Sequence, residues 1–404
     1  MHGLSAEATM NLLGLSVFVD SSAALVRQGR IVHAVEEERL NRIKHYEGLP
    51  WLALEECLTE GGLTIREMDA LAVGWNPFRG WHVRMGQSLR SIFAMPAAFT
   101  CKVVRGQGYL HACRQILTLR QALEHRYGCD DLPCPIHYVP HHLAHAASAF
   151  FCSPYDSANV IVADGIGESA TISFFTGSGN RLQEVGHLRF PHSLGHLYAS
   201  VTGFLGFRMA YDEGKVMALA GFGRDTFRDL FAQVLKINPA RGTVHLNTRL
   251  LDYHAAREGL FSQQWICATG LESRRPGEPL TPRHEDLACS LQVRLQEAVL
   301  SLLKARFPQH SERPLCAAGG LFLNSVLNGK ISREYIPDFY IQPAAGDNGV
   351  SLGAALAVQA AFNPQSPRHV MNDAFLGKSY DSSDFVRVLG RRNLNINPAR
   401  DVYV

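Results

Sequence analysis

No stretch of this chain approaches the roughly 18 uninterrupted apolar residues that a membrane-spanning helix needs. Residues 1–9 lack a basic segment followed by an apolar run, so the opening does not read as a secretory signal. Net charge is nearly absent: 39 Lys and Arg against 37 Asp and Glu leave +2, too weak a field to point to nucleic acid or a lipid surface. C-x-x-C pairs are missing. The nine cysteines are scattered and odd in number, which argues against a disulfide framework or a zinc ribbon and fits free thiols in a reducing cytosol. Neither a Walker A loop nor a dinucleotide-type glycine pattern occurs. These absences predict a soluble, cytoplasmic protein with no nucleic-acid or membrane partner.

What is present reads as an enzyme of two or three packed lobes, since 404 residues exceed one ordinary core and 46% of them are hydrophobic. One local asymmetry stands out between Arg79 and Arg126. Eight basic residues (Arg79, Arg84, Arg90, Lys102, Arg105, Arg114, Arg120, Arg126) face the single acid Glu124, as on a solvated helical face with snorkelling arginines; an anion or partner site is the alternative.

Residues 11–19 form a nearly continuous apolar run and predict a buried strand. The turn Asp20-Ser21-Ser22 and two further strands at 23–26 and 31–35 complete a meander. The same order returns at 159–163 (strand), Asp164-Gly165-Ile166-Gly167 (turn) and 170–176 (strand), which predicts a duplicated α/β architecture. Residues 285–307 read as a long amphipathic helix, 315–318 as a strand running into Gly319-Gly320 and a helix, and 350–361 as the last strong helix.

The sharpest chemical feature is His141-His142-Leu143-Ala144-His145. On a helix, His141 and His145 project from one face and can share a metal, while His142 lies about 100° away. Alone the pair is ordinary, and no glutamate occupies the position a zinc protease would need. Two oxygen ligands would complete a set: Asp164 at a strand end and Asp347 before the helix at 350. Each could instead be a turn or cap residue. A nucleotide phosphate would fit the bare backbone at the paired corners Asp20-Ser21-Ser22 and Asp164–Gly167, and at Gly319-Gly320, with Asn324 and Asn328 four apart on the following helix.

In order, the segments Asp20–Leu25, Glu37–His45, His141–Phe150, Asp164–Glu168, Phe190–Gly195, Lys215–Ala220, Ala318–Asn324 and Pro343–Gly349 resemble the NodU/CmcH carbamoyltransferases, and the likeness runs from about residue 11 to 378. The resemblance implies a two-lobed fold of the actin/Hsp70/sugar-kinase type: residues 1–10 an extension, 11–157 a first lobe with a helical insertion at about 79–127, 158–370 a second lobe, and 371–404 a tail opening a second domain. It implies a divalent metal, iron before manganese or zinc, on His141, His145, Asp164 and Asp347. That metal would lie beside the phosphate of ATP or carbamoyladenylate, with magnesium as a further ion. It casts Asp20, His141, His145 and Asp164 as catalytic, and Ser21, Ser22, Gly165, Gly167, Lys215, Gly319, Gly320 and Asn324 as nucleotide-binding. The acceptor would be a small-molecule hydroxyl or amine on a natural product or saccharide.

Two departures qualify the likeness. The family reads His-Asp at the first corner, and here that His is Val19. The segment Phe375–Tyr380 resembles the entry to a YrdC-like module that makes carbamoyladenylate, and the sequence stops at Val404, so a separate YrdC-like partner is expected. A homodimer is left open. Two readings compete: a non-catalytic ATP-binding subunit of a split enzyme, and a kinase of the same superfamily.

Overall fold

The computed structural model describes residues 10–83, 86, 109–251, 262–307 and 313–391. The extension at 1–9, much of the insertion expected at 79–127, and the end of the tail lie outside the described residues.

The first sheet contains β1 (Asn11–Ser16), β2 (Ser22–Arg27), β3 (Arg30–Glu36), β4 (Ala70–Val73) and β5 (Ile136–Tyr138), in the spatial order β3-β2-β1-β4-β5. Strands β1 to β3 run antiparallel as a meander, and β4 and β5 add in parallel. Leu12, Leu13 and Leu15 are all buried because β1 is covered on both faces, which is why the strand reads as an unbroken apolar run rather than an alternation. It ends at Ser16, earlier than the sequence suggests, and Val17, Phe18 and Val19 leave the sheet to line a cleft.

The second sheet repeats the plan. Its strands β6 (Ser157–Ala163), β7 (Ala170–Ser178) and β8 (Arg181–Arg189) form the antiparallel meander. A small ribbon, β9 (Leu235–Asn238) with β10 (Thr243–Leu246), lies apart, and β11 (Leu315–Ala318) and β12 (Phe339–Ile341) join β6 in parallel. The order β12-β11-β6-β7-β8 matches the first sheet strand for strand, so the duplication read from the sequence is present in the topology.

Between the sheets lie two helices that exchange sides. His141–Phe150 follows β5 yet packs on β6, β7 and β11; Val350–Phe362 follows β12 yet packs on β1, β2 and β4. The helix Val350–Phe362 thus makes its sheet contacts with the first sheet, although it follows the second in sequence. The two helices also pack on each other, and their alanine-rich faces let the backbones close. At Gly353 a Cβ would sit 1.8 Å from the Ala144 carbonyl oxygen, so only glycine permits this approach. Outside the second sheet runs the 25-residue helix Pro282–Arg306, opened by Pro282 and by a reciprocal cap between Thr281 and His284.

Beyond Phe362 the chain returns to the first lobe. Arg368 donates to the carbonyls of Phe150, Ser153 and Tyr155, and the Ala34 N–H donates to the Leu376 carbonyl at 2.9 Å. No helix among the described residues is long and apolar enough to cross a membrane.

Candidate active site

Pro140 fixes the chain just before the helix His141–Phe150, and the buried Glu168 carboxylate accepts the His141 N–H at 2.9 Å and the Asn76 N–H at 3.0 Å. An anion at this position satisfies an orphan donor and suits the positive end of the helix. The first turn thus presents His141 and His145 to the gap between the sheets, where Asp164 arrives from the end of β6 and Asp347 from the turn before Val350–Phe362.

The four side chains converge. His141 Nε2 lies 3.2 Å from His145 Nε2, 3.2 Å from Asp164 Oδ2 and 3.4 Å from Asp347 Oδ1. His145 Nε2 lies 3.8 Å from Asp164 Oδ2 and 3.5 Å from Asp347 Oδ1. Ligands at bonds of about 2.1 Å around a tetrahedral ion are separated by about 3.4 Å, so these spacings fit a single divalent cation. The tautomer fits too: His141 Nδ1–H donates to the Gly74 carbonyl at 3.1 Å, which leaves Nε2 as the free, ligating nitrogen. Both His side chains are buried. Two imidazole lone pairs and two carboxylates at such distances repel unless positive charge lies among them.

The electrostatics agree. Burial works against a charged His141, yet Asp347 and Asp164 beside it hold its affinity for positive charge well above the ordinary imidazole value. Burial raises Asp164, but the His141 hydrogen bond and the charges of His145 and His141 more than reverse that, and Asp347 is lowered on balance as well. His142 is off this cluster. It bonds Ser173 Oγ at 2.8 Å and, buried in apolar surroundings, is pushed down to about 3.

A cavity of about 980 Å³ opens from the cluster. Asp20, Asp164, Gly165, Gly320, Asn324 and Asp347 all line it. At Gly320 a Cβ would stand 3.2 Å from Asp164 Oδ1, so the bare backbone keeps space beside that carboxylate.

Other expected site residues lie elsewhere. Ser21 and Ser22 are buried away from the cavity: Ser21 Oγ donates to the Phe18 carbonyl at 2.8 Å, and Ser22 Oγ bonds the Asn348 carbonyl and Ser351 Oγ, each at 2.8 Å. The Ser21 hydroxyl ties the corner to the neighbouring Phe18 and Tyr46, the Ser22 hydroxyl ties it to the second half of the chain, and neither lines the cavity. Lys215 points to solvent and pairs with Asp212 at 2.8 Å. Gly167 packs against His142. Gly319 sits at φ 98 with its position for a Cβ 2.2 Å from the Ala163 carbonyl oxygen, a requirement of the fold. Asn324 does not lie inside a helix with Asn328. It is the N-cap of Ser325–Glu334, its Oδ1 accepting the Leu327 N–H at 2.9 Å, and its amide also pairs with Gln292. Asp347 opens a short 3-10 turn and makes no side-chain cap.

The cleft also contains residues that the sequence did not single out. His45, His196, Tyr198, Arg208, Tyr211 and Glu213 line it; His45, Arg208 and Tyr211 come from loops, His196 and Tyr198 from the helix Leu194–Phe204, and Glu213 from the start of the helix Glu213–Leu219. The only signal for His45 was its place in the Glu37–His45 motif.

A family model described as the carbamoyltransferase N-terminus matches residues 11–356. The chain belongs to the carbamoyltransferase N-terminal family. An uncharacterized protein of Synechocystis sp. is 38% identical over 376 residues, 92% of this chain and 60% of its own length. The nodulation protein NolNO of Sinorhizobium fredii is 34% identical over 369 residues, 90% of this chain and 49% of its own. Nodulation protein U of Bradyrhizobium diazoefficiens is 26% identical over 381 residues, 88% of this chain and 63% of its own. This family member thus spans about half to three-fifths of the length of those relatives. Among solved structures, HypF of T. kodakarensis covers 89% of this chain and 50% of its own at 12% identity and a TM-score of 0.46. That correspondence is loose, and the architecture above rests on the strand pairings themselves.

Proposed function

We propose that the cleft transfers the carbamoyl group of carbamoyladenylate to a hydroxyl, or an amine, of a small-molecule acceptor such as a saccharide or other natural product. The observation that carries this reading is the four-ligand cluster opening directly onto a cavity that also holds Asp20 and the bare backbone of Gly165 and Gly320. His141, His145, Asp164 and Asp347 would hold a divalent ion, with iron favoured by the family resemblance and manganese or zinc as alternatives. Such an ion supplies Lewis-acid stabilisation of charge on the departing phosphate.

The chain's own residues do the rest. Gly165 and Gly320 leave room for the nucleotide phosphate beside Asp164, with Asn324 at the same wall. Asp20 takes the proton of the acceptor hydroxyl as its oxygen bonds to the carbamoyl carbon; the bond from that carbon to the phosphate oxygen breaks, and AMP leaves with the electron pair. Carbamoyladenylate is made from carbamoyl phosphate and ATP by a YrdC-like activity, and the cleft receives it before water does.

The test supplies synthetic carbamoyladenylate to the metal-loaded chain with a panel of hydroxyl and amine acceptors. Acceptor-dependent release of AMP with a carbamoylated product is the expected result. Phosphorylation of an acceptor from ATP, with no carbamoylation, would replace this reading with a kinase.

A further inference from the structure

The cavity wall also carries a second, half-buried pair. Asp20 Oδ1 accepts from His45 Nδ1 at 2.7 Å, and both side chains line the cavity. Two backbone features mark the pair as imposed by the fold. Asp20 has φ 56 and His45 has φ 53, left-handed conformations that non-glycine residues adopt at a cost of about 1–3 kcal/mol each. Both are pinned nonetheless. The His45 N–H donates to Glu38 Oε2 at 2.7 Å, and the Ser21 N–H, next to Asp20, donates to the Tyr46 carbonyl at 3.1 Å. Tyr211 closes the arrangement, its ring edge-to-face with the imidazole at 4.2 Å between centroids.

We infer that His45 is the positioning residue of the acceptor side: its Nδ1–H holds one oxygen of Asp20 so that the other is aimed at the acceptor hydroxyl. This rests on the proposed transfer reaction. Among the described residues no donor reaches the second Asp20 oxygen, which is the condition for it to accept the acceptor's proton. In the transfer the proton moves from the acceptor oxygen to that carboxylate oxygen as the new C–O bond forms; His45 keeps its own Nδ1 proton throughout and stabilises the carboxylate before transfer and the orientation of the acid after it. Val19, at the place where the family has histidine, lines the same wall without a proton to offer, so among the described residues His45 is the donor that serves Asp20.

Among the described residues, Tyr211 packs on the imidazole and carries the Arg208 guanidinium over its ring at 3.5 Å, and three carboxylates stand near the pair. Glu38 is neutralised by Lys44 at 2.6 Å, Glu213 faces the imidazole from the segment carrying Tyr211 with its carboxylate accepting the Ala210 N–H at 2.7 Å, and Asp347 stands across the cavity.

The experiment compares His45→Ala, His45→Gln and His45→Asn in carbamoyl transfer across pH, with carbamoyladenylate supplied. The Asn amide can stand where Nδ1 stands; Gln and Ala cannot. His45→Ala and His45→Gln should lower kcat by about tenfold to a hundredfold and move the acid limb of the pH profile, with KM for carbamoyladenylate unchanged, and His45→Asn should restore much of the loss. Equal losses in all three, or an unmoved profile, would overturn the assignment. Nitrogen NMR of the ring gives a readout independent of turnover: a protonated Nδ1 in the wild type, displaced in Asp20→Ala, is expected. Ring signals that ignore Asp20→Ala would sink the pair even if the enzyme transfers carbamoyl groups, whereas a wild type that shows the pair but no transfer would instead sink the proposed reaction.

Discussion

The corner between β1 and β2 and the corner between β6 and β7 occupy the same place in two sheets of the same order, yet their aspartates differ in kind. Asp164 leaves the end of β6 and enters a cluster with His141 and His145, where the His141 hydrogen bond and the attraction of both rings overcome burial and hold the carboxyl far below its usual range. Asp20 stands on the other arm of its corner, just before β2. Burial raises it from the ordinary 3.8, and the single histidine beside it does not reverse that. The difference comes from the helices. Each corner is faced by a helix that crosses from the other sheet, and the one at 141 carries imidazoles in its first turn while the one at 350 carries Ser351, which bonds Ser22. On the proposed reading, one duplicated scaffold yields a corner that binds a cation and a corner that accepts a proton.

The largest effect should come from removing an imidazole at the first of these corners. His141→Ala should cut affinity for a divalent ion by more than about a hundredfold, while His142→Ala, which touches Ser173 instead, should leave it intact. Titration calorimetry with the metal alone separates the two. Next in size is Asp20→Asn, which should keep the metal and lower kcat about 10²- to 10⁴-fold. Its stability should move the other way. A carboxyl whose native pKa is raised binds its proton more tightly folded than unfolded, so its ionisation destabilises the fold above the raised value and costs nothing below about 3.8. Thermal melts should show Asp20→Asn more stable than wild type at pH 7, with the gap closing as the pH falls through that window.

A smaller effect tests the helix pair that supplies the contrast. Gly353→Ala would push a methyl into the Ala144 carbonyl, one residue from His145, and should cost about 1–3 kcal/mol by denaturant melt while weakening the metal. Ser22→Ala should cost only about 1 kcal/mol and leave nucleotide affinity unchanged, since its hydroxyl is a strut to Asn348 and Ser351. A drop in nucleotide affinity there would restore a direct role for that corner.

Much of this plan could be read in the sequence because it is written in local patterns. The two meanders, the long helix at Pro282–Arg306 and the i,i+4 imidazoles depend on periodicity and spacing, which neighbours along the chain fix. What could not be read was direction. Ser21 and Ser22 sit in a corner that looks ligand-facing, but their rotation into the interior is set by Tyr46 and Ser351, distant in sequence. Lys215 lies in a family motif, yet the helix Glu213–Leu219 turns it to solvent and presents Glu213 to the cavity. The side exchange of the central helices is likewise invisible locally, because it rests on Gly353 meeting Ala144 across some two hundred residues of sequence.

On this reading the β6–β7 corner, and not the β1–β2 corner, holds one divalent ion. Anomalous diffraction from metal-soaked crystals of wild type, His141→Ala and Asp20→Asn addresses it directly. One strong site within bonding distance of His141, His145, Asp164 and Asp347 is expected in the wild type and in Asp20→Asn, and none in His141→Ala. An ion seated on Asp20, Glu38 and His45, or one that survives the loss of His141, would contradict it.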